Sequence, residues 1–303
     1  MSRPRFYCPD GLVPNHLLAL PAALSHHAAR VLRLADGDDV VLFDGTGGEF
    51  PATLRIEGRR VSAQLGNHVA REAELPGSLT LVQGIPSGDK MDWIIEKAVE
   101  LGVQHIAPIA AERSVLRLSG ERLEKRLLHW ERVAQSAAEQ CGRNRITTVA
   151  APVSLAQWLK TPPVGVRLLC HPDGEYGLAH ALSSEKQAIT LIVGPEGGWS
   201  VAELAQAALP DAATTRFKWG DRVLRSETAG VALSAAVATW MKWCSALLAV
   251  GRGRHTRFGL GVFAGVLDHE RKDAIVLFCK QGDLGANRGN PFGIALQDGI
   301  ARM

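Results

Sequence analysis

The sequence lacks the features that mark several large protein classes. No run of about 18 consecutive apolar residues occurs, which excludes a membrane-spanning helix, and the opening Met-Ser-Arg-Pro-Arg offers no apolar signal core. The cytoplasm is the expected location, with no membrane partner. Cysteine is sparse: Cys8, Cys141, Cys170, Cys244 and Cys279 are scattered, with no C-x-x-C pair to suggest zinc or redox exchange. Neither charge sign dominates. A net charge of +3 permits an anionic partner without demanding one. The nucleotide signatures G-x-x-x-x-G-K-S/T and G-x-G-x-x-G are missing as well.

What is present is a chain of 303 residues, 46% of them hydrophobic, enough for a sizeable core in two domains or one large one. The first 70 residues read as short strands and turns: Val40 to Phe43, the Asp44-Gly45-Thr46-Gly47-Gly48 turn, Glu49 to Ile56, and Arg60 to Leu65. This pattern predicts a small barrel. A helix is expected over Ser25 to Leu34, where Leu24, Ala28, Val31 and Leu32 share one face. Pro76 and Gly77 mark a linker over 71–78.

Apolar strands then alternate with helices, the signature of an α/β domain with a mainly parallel sheet. Strands are expected at Leu79 to Gly84, His105 to Ile109, Val166 to Cys170, Ile189 to Val193 and Thr214 to Trp219, giving a sheet of five or six. Met91, Ile94, Ile95, Ala98 and Val99 predict one helix. Leu123, Leu127, Trp130, Ala134, Ala137 and Cys141 predict a longer one. Between residues 112 and 145 lie eight basic and five acidic residues, an excess that either follows a phosphate backbone or coats a solvated helix face. A short helix after Ser200 and a longer one from Glu227 to about Trp243 complete the domain. From Ser245 onward the alternation stops and ten glycines occur in 59 residues, so the tail reads as an appendage.

Gly194-Pro195-Glu196-Gly197-Gly198 follows a buried strand and precedes Ser200-x-x-Glu203, a capping box that starts a helix. A glycine-rich turn there lets a ligand approach the backbone, or is simply a tight connection. Glu196 would repel a phosphate, so a cationic cofactor without phosphate, S-adenosylmethionine, fits better than NAD or ATP. Trp219-Gly220-Asp221-Arg222-Val223-Leu224-Arg225-Ser226-Glu227-Thr228-Ala229 is a second polar turn, from strand end into apolar helix. Two such turns at strand C-terminal ends mark the ligand edge of an open α/β sheet. Ser226 is read as the N-cap and Glu227 as first-turn electrostatics, or both as functional groups.

These two segments resemble the RsmE-type ribosomal RNA uridine-N3 methyltransferases of the SPOUT superfamily. The resemblance extends to Gly88-Asp89-Lys90-Met91-Asp92, Lys97-Ala98-Val99-Glu100-Leu101-Gly102-Val103, Glu112-Arg113-Ser114-Val115 and Glu139-Gln140-Cys141-Gly142-Arg143. His26-His27, Arg30-Val31-Leu32-Arg33 and Leu42-Phe43-Asp44-Gly45 are similar to the family's barrel. It runs from Arg5 to about Trp243, and nothing carries over to the tail.

The resemblance implies an α/β protein with an N-terminal PUA-like RNA-binding β-barrel over residues 1–72 and a C-terminal SPOUT α/β methyltransferase domain over 76–244. The second domain would carry a deep trefoil knot, and residues 245–303 would form an extension of unknown role. It implies S-adenosyl-L-methionine-dependent methylation of N3 of a specific uridine in 16S rRNA, within the small ribosomal subunit, by a homodimer. The cofactor pocket would comprise Leu169, Cys170 and His171, the turn Gly194, Pro195, Glu196, Gly197 and Gly198, and Trp219, Gly220, Val223, Leu224, Arg225 and Thr228. His171 is alternatively a satisfied loop histidine. Arg3, Arg5, Lys90, Arg113, Arg117, Arg143 and Arg145 are candidates for RNA contact, or else surface charges. No metal is expected. Because N3 carries a proton that must leave, Arg225 and Glu227 are the catalytic candidates, Arg225 to stabilise the resulting negative charge. Arg225 alternatively braces the turn. The competing functions are a knotted enzyme acting on a ribose hydroxyl or another base, and an assembly factor that only binds RNA.

Overall fold

A computed structural model describes residues 3–58, 60–116, 118–182 and 188–244, and the backbone of 265–267 and 274–276. The chain divides after Cys244 into two units.

The N-terminal part of the first unit is a mixed sheet in the order β1-β3-β4-β5-β2. Its elements are β1 (Arg5–Tyr7), β2 (Leu17–Ala19), α1 (Ala22–His26), β3 (Asp39–Phe43), β4 (Phe50–Glu57) and β5 (Arg60–Leu65). Alternation sets the faces: Phe50, Ala52 and Leu54 of β4 and Val61, Ala63 and Leu65 of β5 point into a core with Phe6, Val40 and Leu42. β1 joins as a parallel edge strand beside β3. The helix expected over Ser25 to Leu34 is instead α1 running into a π-helical turn, His27–Val31. The wider turn advances the chain out of 3.6-residue register, so Ala28 is buried while Val31 and Leu32 face solvent.

Seven parallel strands follow, in the order β10-β12-β9-β11-β6-β7-β8. In chain order the elements are β6 (Ser78–Gly84), α2 (Lys90–Glu100), β7 (His105–Ile109), α3 (Gly120–Cys141), β8 (Thr148–Val149), α4 (Leu155–Leu159), β9 (Val166–Cys170), β10 (Tyr176–Gly177), α5 (Leu178–Ala181), β11 (Ala188–Val193), α6 (Val201–Ala207), β12 (Thr214–Lys218) and α7 (Ser226–Trp240). The sheet exceeds the expected five or six strands because β8 and β10 are two residues long, too short for periodicity to reveal. The apolar stripes of α2 and α3 pack over Leu79, Leu81 and Ile106, with Trp130 fully buried. α7 packs against α2, β6 and β11.

α3 ends at Gly142, whose φ of +84° turns the chain back under the helix. Arg143 is thereby buried. It donates to Glu74, to the carbonyls of Val99 and Val103, and to Thr147. The described part of the second unit is an antiparallel pair, β13 (Gly265–Leu267) with β14 (Ala274–Val276).

Candidate functional site

Four neighbouring parallel strands, β12, β9, β11 and β6, bring their C-terminal ends to one edge. The turns that follow them carry the cofactor candidates. The glycine turn after β11 lies against the end of β6, where a Cβ on Gly84 would sit 2.4 Å from Pro195 Cδ. A glycine at position 84 is therefore required for the two turns to pass. Gly198 and Gly220 have φ of +67° and +63°, and a Cβ on either would meet nothing within 4 Å. Backbone thus lines open space at both turns. Gly197 differs: a Cβ there would lie 3.0 Å from Arg113 Cβ, and its carbonyl accepts from Arg113 Nη1 at 3.2 Å. A side chain at 197 would press on Arg113, which would have to give by a few tenths of an ångström.

Polar side chains fix the glycine turn from three directions. Ser226 Oγ donates to the Gly194 carbonyl at 2.6 Å and accepts from Gln83 Nε2 at 2.8 Å. Glu196 accepts from the Ser87 amide, from Ser87 Oγ and from Lys90 Nζ, the last at 2.7 Å. Burial raises the Glu196 pKa, but the hydrogen bonds from Lys90, its own amide and Ser87 outweigh that and hold it at about 2. Lys90 also lies 3.6 Å from Glu227 Oε1. Its ammonium is stabilised by the bond to Glu196 first and by Glu227 further, which raises its pKa. The capping box holds: Ser200 Oγ accepts from the Glu203 amide and Glu203 from the Ser200 amide.

The remaining cofactor candidates have varied environments. Leu169 is buried in the core with Ile192 and Trp199. The Cys170 thiol is pushed up to about 11 by burial. Burial lowers the His171 pKa, against the opposing charge of Asp173, and Nδ1 accepts from the Asp173 amide at 3.2 Å. Leu224 packs on the core, Trp219 lies beyond the end of β12, and Val223 and Thr228 are exposed. Ser226 is not the N-cap. Arg225 occupies that position, and Ser226 is the first helical residue, its hydroxyl committed to Gly194. The Arg225 side chain is exposed and has no hydrogen bond or ion pair among the described residues, so the bracing role considered for it is not seen.

The RNA candidates divide sharply. Arg143 is a buried brace with its donors satisfied by protein, which withdraws it from any phosphate surface. Arg5 is largely buried too, paired with Glu49 at 2.6 Å, bonded to Asn144 and lying over the Phe43 ring. Arg5 joins the N-terminal sheet to the region after α3, and Arg143 ties that region to Glu74 and to the end of α2. Lys90, at the start of α2, is paired with Glu196 in the turn after β11. Arg3, Arg113 and Arg145 stay at the surface, with Arg3 paired to Asp39 and Arg145 3.7 Å from Glu72. Arg117 lies outside the described residues. Gln83 and Ser87 are site residues the sequence does not single out, and Ser226, read as a cap or a functional group, acts through its hydroxyl on Gly194. Their only sequence signal is polarity near the end of an apolar strand or at the start of an apolar helix.

The chain is similar to known RNA methyltransferases. An RNA methyltransferase domain family matches residues 73–238, more than half of the chain, and an RNA methyltransferase PUA domain family matches residues 20–65. Ribosomal RNA small subunit methyltransferase E of Bacillus subtilis is 31% identical over 220 residues, covering 69% of this chain and 85% of that protein. This chain belongs to the ribosomal RNA small subunit methyltransferase E family. The Synechocystis member is 33% identical, covering 70% of this chain and 69% of its own length. The crystal structure of the Neisseria gonorrhoeae member bound to S-adenosyl methionine aligns with a TM-score of 0.72 at 35% identity, over 78% of this chain and 98% of that one. A methyltransferase from Legionella pneumophila in complex with the same cofactor aligns with a TM-score of 0.74 at 30% identity, over 79% and 98%. The family is thus the one the sequence motifs resemble.

Proposed function

We propose that this chain is an S-adenosylmethionine-dependent methyltransferase that methylates N3 of a uridine in 16S ribosomal RNA. The observation that carries the reading is the pair of glycine turns after β11 and β12, locked together by Ser226 and Gly194 at the ligand edge of a parallel sheet. Relatives over most of the chain are named as small-subunit ribosomal RNA methyltransferases, and the Neisseria member binds S-adenosyl methionine.

The residues fit the cofactor. Gly198 and Gly220 present backbone to open space, and the nearby carboxylates of Glu196 and Glu227 suit a cation better than a phosphate. The contacts fall to backbone of 169–171, 194–198 and 219–228, with the side chains of Arg225 and Thr228 exposed beside them. When bound, the cofactor supplies an electrophilic methyl group. Arg225, unpaired and at the start of α7, supplies the positive charge that stabilises the anion left when uridine N3 loses its proton. Glu227 is the nearby carboxylate. Reaching N3 requires an unpaired or extruded base, because that atom lies on the pairing edge. Arg3, Arg113 and Arg145 are the exposed cations for RNA.

The same reading places a PUA-like RNA-binding domain at residues 1–72 and the methyltransferase domain at 76–244, with a trefoil knot, leaving 245–303 without a role. It also makes the protein a cytoplasmic homodimer that meets its rRNA within the small subunit. No described helix is long and apolar enough to cross a membrane. The test is transfer of a labelled methyl group from S-adenosylmethionine to small-subunit rRNA, with calorimetric titration of the cofactor alongside. Transfer with saturable binding is expected. Binding of RNA without either would leave an assembly factor and overturn the reading.

A further inference from the structure

The notable feature of the site is a carboxylate oxygen with nothing to accept. Glu227 Oε2 is shielded from solvent and has no hydrogen-bond partner, while Oε1 lies 3.6 Å from Lys90 Nζ. A buried acceptor left empty in the protein alone is a place for a donor brought by a ligand. The other acidic groups at this edge do not offer this. Glu196 is already used by Ser87 and Lys90, and Asp221 is exposed to water. His171 Nδ1 accepts from the Asp173 amide.

Lys90 explains how that oxygen is held. It stands at the start of α2 and reaches Glu196 in the turn after β11 and Glu227 at the start of α7. One ammonium therefore links the cofactor turn to the motif helix, and by engaging Oε1 it leaves Oε2 as the free acceptor. Of the charged groups, Lys90 of α2 lies 3.6 Å from Glu227, Glu196 shares that lysine, and Arg225 precedes Glu227 by two residues.

We infer that Glu227 is the base that takes the N3 proton of the target uridine, and that Lys90 is the residue that positions it. This rests on the function proposed above. In the step, the N3–H bond breaks and the proton goes to Glu227 Oε2. The N3 electron pair forms the bond to the methyl carbon, and the carbon–sulfur pair returns to sulfur, leaving a neutral thioether. Charge balances: the carboxylate's negative charge and the sulfonium's positive charge both disappear.

The test combines single-turnover methylation of small-subunit rRNA at saturating S-adenosylmethionine with calorimetric binding of S-adenosylhomocysteine. Glu227→Gln is expected to slow the single turnover by about 10²–10⁴-fold at neutral pH. Its affinity for S-adenosylhomocysteine should stay within about threefold of wild type. Its defect narrows as pH rises, because N3 then ionises without a base. Glu227→Asp, which keeps the charge but shortens the reach, falls between. Lys90→Met slows turnover and Lys90→Arg recovers most of the loss, a rescue that a merely structural lysine would not give at unchanged thermal stability. Glu227→Gln at wild-type rate, or with a defect constant across pH, overturns the base assignment. Lys90→Met at wild-type rate overturns the positioning role. A wild-type protein that forms no 3-methyluridine overturns the proposed function itself.

Discussion

The Ser226 hydroxyl donates to the Gly194 carbonyl at 2.6 Å while accepting from the Gln83 side-chain amide at 2.8 Å. One buried hydroxyl thus ties the end of β6, the glycine turn after β11 and the first turn of α7. Ser226→Ala removes the donor to Gly194 and leaves the Gln83 amide short of an acceptor. We expect a loss of about 1–3 kcal/mol in urea unfolding, the cost of an unsatisfied buried group. Calorimetry should show weakened S-adenosylmethionine binding as well. Unchanged binding at reduced stability would mean that the tie serves the fold alone.

Arg143 and Arg145 are two residues apart and have opposite expected behaviour. Arg143→Ala strands Glu74 and should cost about 3–5 kcal/mol of stability. Arg145→Ala should leave stability unchanged and reduce the slope of log affinity for rRNA against log salt by about one, the share of a single phosphate contact. Titrations at several salt concentrations measure the slope. The same slope in Arg145→Ala as in wild type would make Arg145 a bystander.

The Glu196 carboxyl is held at about 2 by Lys90 and Ser87, below its unfolded value near 4.5. A depressed folded pKa contributes stability that is complete above the unfolded value and is lost as pH falls toward the folded one. Stability should therefore fall between about pH 4.5 and pH 2, and Glu196→Gln should flatten that decline. Urea midpoints across this range provide the measurement, and equal declines in both proteins would contradict the assigned pairing.

Truncation after Cys244 should leave the thermal midpoint and S-adenosylmethionine binding unchanged, since the first unit ends there and every cofactor candidate lies before it. Loss of binding in a folded truncation would give the tail a part in the site.

The sheet was legible in the sequence where its strands were long and apolar, as in β6, β9 and β11, and where helices showed a buried stripe, as in α2 and α3. The three-residue β1 and β2 and two-residue β8 and β10 were not, because their pairing depends on distant partners and not on local pattern. The glycine turns were legible from composition and the capping box from its spacing. What polar side chains do was not. Arg143 and Arg145 look alike in a basic stretch, yet the left-handed Gly142 buries the first and exposes the second. Lys90 reads as an RNA contact or a surface cation, and only the fold brings it to Glu196, more than a hundred residues on. Ser226 had the composition of a helix cap, but the helix begins one residue earlier than expected and its hydroxyl is claimed by Gly194.

Methylation of uridine at N3 is the activity on which every role proposed for Glu227, Arg225 and Lys90 depends. Small-subunit rRNA from cells lacking the enzyme, incubated with the protein and S-adenosylmethionine, digested to nucleosides and separated by mass spectrometry against standards, tests it most directly. The expected result is 3-methyluridine appearing in proportion to added protein, and appearing only slowly with Glu227→Gln. A 2′-O-methylated nucleoside, a methylated base other than uridine, or no methylated product from a chain that binds S-adenosylmethionine would contradict it.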